Sequence, residues 1–146
     1  MKRQRGGFLI AKIHRTAGRV FARMLRERGI QINPAQGRIL FVLWDEGPMP
    51  IHELAKRSGL VKSTLTSALD RLEAHGRVVR VRSGEDRRKI MIELTPGNRA
   101  MQKLYDQVSK EMASLFYRGF TQSEITSFEA SLDRILRNLA ESEERD

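Results

Sequence analysis

Apolar residues change their spacing twice along this chain, and each change limits the folds that the sequence can adopt. They recur every three to four residues as far as Gly76, every second residue over 79–81 and 90–94, and every three to four residues again from Pro96. The first spacing is typical of amphipathic helices and the second of half-buried strands. The sequence therefore predicts a mainly α fold with a small antiparallel β wing between two sets of helices.

The N-terminal half contains signals for four helices, at residues 8–28, 34–46, 51–58 and 62–75. Asn33 followed by Pro34 is typical of a cap and a first helical position, and Gly59 predicts a tight turn between the last two helices. Two helices joined in this way form a helix-turn-helix, in which the first helix braces the second in the major groove of DNA.

The fourth predicted helix carries apolar residues on one side and small polar residues on the other. Short hydroxyl side chains near its N-terminus can approach base edges closely and donate or accept hydrogen bonds. For Ser63 alone, simple helix capping is the favoured alternative. The apolar set is Val61, Leu65, Leu69 and Leu72, and the polar set is Ser63, Thr66, Ser67 and Asp70.

A polar loop over residues 82–89 joins the two predicted strands, whose apolar sets are Val79 and Val81, then Ile90, Ile92 and Leu94. An arginine on such a hairpin can enter the minor groove beside a recognition helix, and Asp86 is placed to orient Arg88. A solvated hairpin tip is the alternative. The order and spacing of helix-turn-helix and hairpin favour a DNA-binding wing.

Positive charge is concentrated in the first predicted helix and, less strongly, in residues 51–95, which hold ten Lys or Arg and six acidic residues. The formal net charge is +9; residues 1–28 hold nine Lys or Arg and one acidic residue, whereas residues 96–146 hold seven and nine. Such clustering indicates a polyanionic partner, although solvent is the favoured alternative for most basic residues of the first helix. No apolar run approaches the roughly 20 residues that a membrane span needs, and Phe8–Ala11 is too short for a signal peptide.

Several other function classes find little support. The chain has no cysteine, which excludes disulfides and thiol redox sensing, and its histidines His14, His52 and His75 have no spacing typical of metal ligands. Neither a phosphate-binding glycine loop nor a nucleophile with its base is present, so catalysis is not expected. A nonspecific nucleic-acid-binding or nucleoid-associated protein remains the alternative.

Two more helices are predicted over residues 96–119 and 123–142, the second beginning with a capping box between Thr121 and Glu124. Both carry apolar stripes that exceed what a small DNA-binding core can cover. A homodimer interface would bury them, and packing within one chain is the alternative. The stripes are Leu104, Val108, Met112 and Leu115, then Ile125, Phe128, Leu132, Ile135 and Leu139.

The sequence from Ser63 to Gly97 resembles the MarR (multiple antibiotic resistance regulator) family of winged helix-turn-helix transcriptional regulators. The resemblance rests on Ser63-Thr64-Leu65-Thr66, Leu69-Asp70-Arg71-Leu72-Glu73 with Gly76, and Asp86-Arg87-Arg88 with Leu94-Thr95. It implies major-groove contacts by Thr64, Thr66 and Ser67, and a minor-groove contact by Arg88 with Asp86 as its partner. The full DNA-binding set is Ser63, Thr64, Thr66, Ser67, Arg71, Arg82, Asp86, Arg87 and Arg88.

The resemblance also implies an architecture and a mode of action. A winged helix-turn-helix core at 34–95 would bind double-stranded DNA, and N- and C-terminal dimerisation helices at 1–30 and 96–146 would join it into a homodimer. Such a protein represses a palindromic operator in the cytoplasm, at a bacterial or archaeal nucleoid, without a cofactor, metal or membrane. A small aromatic or anionic effector would relieve repression, near His14, Arg15, Phe41 and Trp44.

Two positions depart from the family pattern. Ser67 stands where the family usually has arginine, which predicts an altered operator preference because a bidentate contact is lost. Arg77 stands where leucine is usual; it either turns outward towards phosphate or reflects an altered start of the first strand.

Overall fold

The computed structural model describes residues 1–145, which form six helices and a small three-stranded sheet. The mainly α fold with an antiparallel wing is therefore confirmed. The elements are α1 (Gly6–Glu27), α2 (Pro34–Glu46), β1 (Met49–Pro50), α3 (Ile51–Ser58), α4 (Lys62–Ala74), β2 (Val78–Arg82), β3 (Ile90–Leu94), α5 (Arg99–Phe116) and α6 (Gln122–Glu143).

Local capping explains where two of the helices begin. The side chain of Asn33 accepts a hydrogen bond from the Gln36 amide at 2.8 Å, and the Gln36 side chain accepts one from the Asn33 amide at 2.9 Å. Thr121 and Glu124 form the same reciprocal box at the start of α6. Each box satisfies two backbone N–H groups that a helix end leaves unpaired, so both starts follow from sequence.

Contacts divide the described chain into two compact units, Met1–Ser109 and a second unit that begins at Lys110. The first unit holds the hydrophobic core, built from α1 to α5 and the sheet. Each large apolar side chain fully removed from water there contributes roughly 1.5–3 kcal/mol to folding. Its fully buried large side chains are Leu25, Ile39, Leu40, Leu54, Leu65, Leu69, Leu72, Ile92 and Val108.

The sheet is antiparallel throughout, with the strand order β1-β3-β2. β2 and β3 form the predicted hairpin, whereas the two-residue β1 was not predicted because two residues are too few to show alternation. Met49 of β1 pairs with Ile92 of β3, so the central strand is held on both sides. The hairpin is thereby attached to the segment between α2 and α3.

Four apolar assignments made from the sequence are wrong, and one of them is Ile90, which is exposed at the start of β3. Val61, assigned to the apolar side of the fourth helix, is exposed because it precedes that helix as its N-cap residue. In β2 the buried residue is Val78, and Val79 and Val81 are both exposed. The strand presents the opposite set of residues to the core because the register pairs Val78 with Leu94.

The second unit contains the end of α5 and all of α6. Tyr117 lies at its centre, with ring centroids 4.9 Å from Phe116, 5.7 Å from Phe120 and 6.2 Å from Phe128. The Tyr117 hydroxyl also donates a hydrogen bond to Glu129 at 2.7 Å. This aromatic cluster holds the turn between the two helices.

Metal-binding clusters and membrane-spanning helices are both missing from the described part of the chain. Across residues 1–145, no group of three or more histidine or acidic side chains is placed to bind a metal ion. Among the helices of the same residues, none combines the length and apolarity that a membrane-spanning segment requires.

Candidate nucleic-acid interface

The exposed face of α4 is built from the small polar residues that the sequence singled out. Ser63, Thr64, Thr66 and Ser67 are all exposed, while Leu65, Ala68, Leu69 and Leu72 are buried beneath them. Burial of the apolar side fixes the rotation of the helix about its own axis. The hydroxyl groups therefore face away from the core, where a ligand can reach them.

Two depressions flank this face, with Ser63 and Ser67 lining both. One, of about 760 Å³, is completed by Lys62, Thr66 and Asp70. The other, of about 340 Å³, lies towards the N-terminus of α2. Its remaining lining residues are Asn33, Ala35, Thr64, Ala68 and Arg71.

Ser67 therefore lies on the mid-line of the exposed face, four residues from Ser63. A short side chain there leaves room between the two depressions. The departure from the family pattern noted at Ser67 therefore falls on the exposed face of α4.

The tip of the hairpin is ordered by local hydrogen bonds. The Ser83 hydroxyl accepts bonds from the amides of Glu85 and Asp86, and Arg82 Nη1 donates to the carbonyl oxygen of Arg87 at 3.1 Å. These contacts close the loop on itself. They hold its arginines on a defined backbone instead of on a flexible loop.

Arg88 is almost fully exposed in this loop, with 93% of its side chain accessible. Its backbone amide donates to Asp86 Oδ1 at 3.0 Å, and its Nε lies 3.4 Å from the same oxygen. The carboxylate thus contacts the base of the guanidinium and leaves the outer nitrogens open. Such an arrangement can present a cation to a phosphate or a groove.

Arg80 links the hairpin to α4, and the sequence reasoning missed it. Its Nη2 lies 2.9 Å from Asp70 Oδ1, and its Nε lies 3.5 Å from Glu73 Oε2. Arg80 stands two residues after the buried Val78, so both point to the same side of β2. Because the alternation predicts Val79 and Val81 as the apolar set of the strand, Arg80 is not expected on the same side as the core-facing residue.

Arg77 does not turn outward towards phosphate, the first of the two alternatives considered for it. It is half-buried, and its Nη1 donates to the thioether sulfur of Met101 in α5 at 3.2 Å. β2 begins one residue later, at Val78. The cation is therefore used to join two elements of the first unit.

The residues named for an effector site fall into two groups. Phe41 and Trp44 lie on α2 and line a depression of about 180 Å³ with Asp45, Gln102 and Asp106. His14 and Arg15 lie on α1, where the Nδ1 atom of His14 is 3.4 Å from Arg38 Nη2. Neither of these two α1 residues lines the described depression.

Tyr105 joins the α2 part of this region to the core. Its ring centroid lies 5.1 Å from Trp44 and 5.4 Å from Phe21, and a Cβ at Gly37 would lie 2.9 Å from its hydroxyl oxygen. Burial raises the pKa of Tyr105 to about 12, while Arg38 opposes the shift and Asp106 adds to it. The indole Nε1 of Trp44 is buried without a hydrogen-bond partner among residues 1–145.

Comparison with known proteins places the chain among transcriptional regulators. Residues 32–90 match the sequence profile of the MarR family. The uncharacterized HTH-type transcriptional regulator YsmB of Bacillus subtilis (strain 168) is 32% identical over 124 residues, covering 80% of this chain and 84% of its own. These relatives are regulators and not enzymes.

Solved structures agree with that assignment. A cysteine-to-serine mutant of Escherichia coli MarR, in complex with operator DNA, is 25% identical with a TM-score of 0.78, covering 89% of this chain and 92% of its own. Bordetella bronchiseptica BpsR, whose DNA binding is regulated by 6-hydroxynicotinic acid, shares the fold with a TM-score of 0.80 at 19% identity. That match covers 92% of this chain and 96% of the BpsR chain.

Proposed function

The chain belongs to the MarR family and is a DNA-binding transcriptional regulator, and from this premise we propose that it acts as a homodimeric repressor of a palindromic operator. The observation that carries the proposal is the pairing of an exposed hydroxyl-rich helix with a basic hairpin that Arg80 ties to it. A helix and a hairpin held together can read both grooves of one duplex.

The proposed contacts divide between the two grooves. Hydroxyl groups on α4 would bind base edges in the major groove, with Arg71 on the flanking phosphate. The hairpin would place Arg88 in the minor groove, with Arg82 and Arg87 beside the backbone and Asp86 as the support for Arg88. The major-groove residues are Ser63, Thr64, Thr66 and Ser67.

The exposed apolar residues outside the core support a dimer. They are concentrated in α1 and in α5 and α6, so residues 1–30 and 96–146 would form the dimerisation region and 34–95 the DNA-binding region. Obligate interfaces commonly bury about 2,000 Å² or more. The exposed set includes Phe8, Leu9, Ile10 and Ile13, then Leu104, Leu115, Phe116, Ile135, Leu136 and Leu139.

In such a dimer the two copies of α4 would stand about one turn of DNA apart, roughly 34–36 Å. A ligand that prefers a conformer with another spacing would lower the affinity for the operator. Repression itself is tested with a reporter driven by the bound promoter, whose output should rise when the regulator is deleted. As a chromosome-binding protein it would act in the cytoplasm, at the nucleoid.

The charges near Phe41 and Trp44 narrow the range of ligand charge that the proposed effector site can accept. Asp45 and Asp106 line the same depression and would repel an anion there. An aromatic ligand that is neutral or cationic fits better. An anionic ligand would fit better beside His14, Arg15 and Arg38. Titrating 6-hydroxynicotinic acid against its uncharged amide, and following release of bound DNA, distinguishes the two.

The DNA-binding proposal is tested with Arg88→Ala and a matched control. A duplex is first selected by the wild-type protein from random DNA. Arg88→Ala should weaken binding to it by about 5- to 150-fold, the effect of losing a contact worth roughly 1–3 kcal/mol. Arg118→Ala removes the same charge from the second unit and should change the affinity by less than about threefold.

Unchanged affinity in Arg88→Ala would remove the hairpin from the mechanism. A salt titration separates the proposal from nonspecific binding. Purely electrostatic binding would weaken steeply with salt and would not discriminate the selected duplex from random DNA.

A further inference from the structure

We propose that Asn98, together with Thr95, is a positioning residue for DNA binding, because it fixes the exit of α4 to the start of α5. The proposed function assigns neither Asn98 nor Thr95 a contact with DNA, and the proposal rests on that function for its DNA-binding readout alone.

The exit of α4 has a defined backbone geometry. Gly76 adopts a φ of +70°, its amide donates to Glu73 O at 3.0 Å, and the Arg77 amide donates to Leu72 O at 2.8 Å. This pair of bonds is similar to a Schellman motif, which ends a helix and sets the direction of the following chain. Glycine suits the position because L side chains rarely adopt a positive φ.

The carbonyl oxygens of Gly76 and Arg77 are then bound by residues that precede α5. Thr95 Oγ1 donates to Gly76 O at 2.5 Å, and the Thr95 amide donates to Arg77 O at 3.1 Å. Asn98 Nδ2 donates to Arg77 O at 3.2 Å. The end of the recognition helix is therefore hydrogen-bonded to the segment that leads into α5.

Asn98 also holds Thr95 in place. Its Nδ2 lies 2.5 Å from Thr95 O and 3.0 Å from Thr95 Oγ1. The bonds form a chain from Asn98 through the Thr95 hydroxyl to Gly76 O, and each bond polarises the next. One side-chain amide thus supports both connections, and it stands immediately before Arg99, the first residue of α5.

The contact between Arg77 and Met101 is a second tie between the same two elements, within the first turn of α5. Gln102 follows Met101 and lines the depression that contains Phe41 and Trp44. A shift of the first turn of α5 would therefore be passed to the end of α4. This junction sets the direction of α4 relative to the start of α5, and with it the spacing of the two recognition helices in a dimer.

The test uses the full chain and two variants. Asn98→Ala removes the donors, and Asn98→Leu removes them while keeping a similar side-chain volume. Gln122→Ala is the control, since it removes a side-chain amide from the start of α6 in the other unit. Folding of each variant is checked by its urea-unfolding midpoint.

The first readout is backbone amide exchange at Arg77 and Thr95. Loss of the Asn98 bonds should speed exchange at both amides by about fivefold or more, the equivalent of one lost hydrogen bond. The second readout is binding to the selected palindrome and to duplexes with one base pair added or removed at its centre. Wild type should prefer the selected spacing, and both Asn98 variants should lose about fivefold or more of that preference.

The outcomes separate the possibilities. Faster exchange with a broadened spacing preference supports the positioning role. Unchanged exchange rates would overturn the claim that Asn98 holds the end of α4 to the start of α5. Faster exchange with an unchanged spacing preference would overturn the positioning role and leave the junction a purely structural one. If the wild-type protein selects no two-half-site duplex, the proposed operator fails, while the exchange experiment still tests the junction.

Discussion

α4 and α6 are both amphipathic helices, and they differ in how far their apolar sides are covered. In α4 the side chains of Leu65, Leu69 and Leu72 are all buried by the core of the first unit. In α6, all of whose residues the structure describes, no residue is buried, and Leu139 at the end of the stripe is 60% exposed.

One copy of the chain therefore buries the apolar side of α4 by itself, but it does not bury the apolar side of α6. The first unit closes its own core, and the polar face of α4 is left exposed. The α6 stripe has the spacing of a helix that packs against another helix. Its first three residues are only partly buried, and Ile135 and Leu139 are exposed. The proposed dimer interface would cover the α6 stripe, whereas the apolar side of α4 needs no partner.

The largest effect is expected from charges placed in the α6 stripe. Ile135→Glu combined with Leu139→Glu would put unpaired carboxylates into the proposed interface, so sedimentation equilibrium should report the monomer mass. Affinity for the selected palindrome should fall by about 10²-fold or more, since two linked half-sites are no longer bound together. The pair Ala130→Glu and Arg137→Glu alters the opposite face and should leave the dimer intact. A dimeric mass for the stripe variant would contradict the proposal.

A smaller effect is expected from a leucine deletion in each helix. Leu69→Ala should lower the free energy of unfolding by roughly 2–5 kcal/mol, because it opens a cavity in a closed core. Leu139→Ala should lower it by less than about 0.5 kcal/mol when the protein is diluted below its dimer dissociation constant. Urea unfolding measures both. Equal losses at high dilution would show that α6 is already covered within one chain.

The smallest effect concerns the two tyrosines, one in each unit. Burial raises the pKa of Tyr105 to about 12; partial desolvation, then the hydrogen bond and charge of Glu129, raise the pKa of Tyr117 above 10. Both pKa values are raised in the fold, so the stability they contribute is complete below pH 10 and is lost as pH rises through each folded pKa. Glu129→Gln should therefore lower the pKa of Tyr117 alone.

Phenolate absorbance follows this titration, and Tyr117→Phe assigns the signal. If Glu129→Gln shifts the pKa values of both tyrosines equally, the effect of Glu129 is not confined to Tyr117. No shift in either would remove Glu129 as a cause.

Much of the fold follows from local signals. Asn33 with Gln36, and Thr121 with Glu124, mark the starts of α2 and α6, because a capping box needs only residues three apart. The predicted start of α5 at Pro96 was three residues early. Residues 96–98 instead form the turn that carries Asn98.

The candidate site was predicted only in part. Its exposed hydroxyl residues and Arg88 could be named from spacing, order and family resemblance. Arg80 could not be named, because the alternation predicts Val79 and Val81 as the core-facing residues of β2 in place of Val78. Valines on both sides of Arg80, at positions 78, 79 and 81, leave that choice open until the register with β3 is known.

The sequence by itself determined the order of the helices and the hairpin, the caps, and the polar face of α4, since these depend on periodicity and on neighbours within one or two turns. Tertiary structure alone decided what holds that face in place. Arg80 meets Asp70 across 10 residues, Asn98 meets Arg77 across 21, and Arg77 meets Met101 across 24. Such pairs form because folding brings distant backbone segments together, and no spacing along the chain encodes the directions in which their side chains meet.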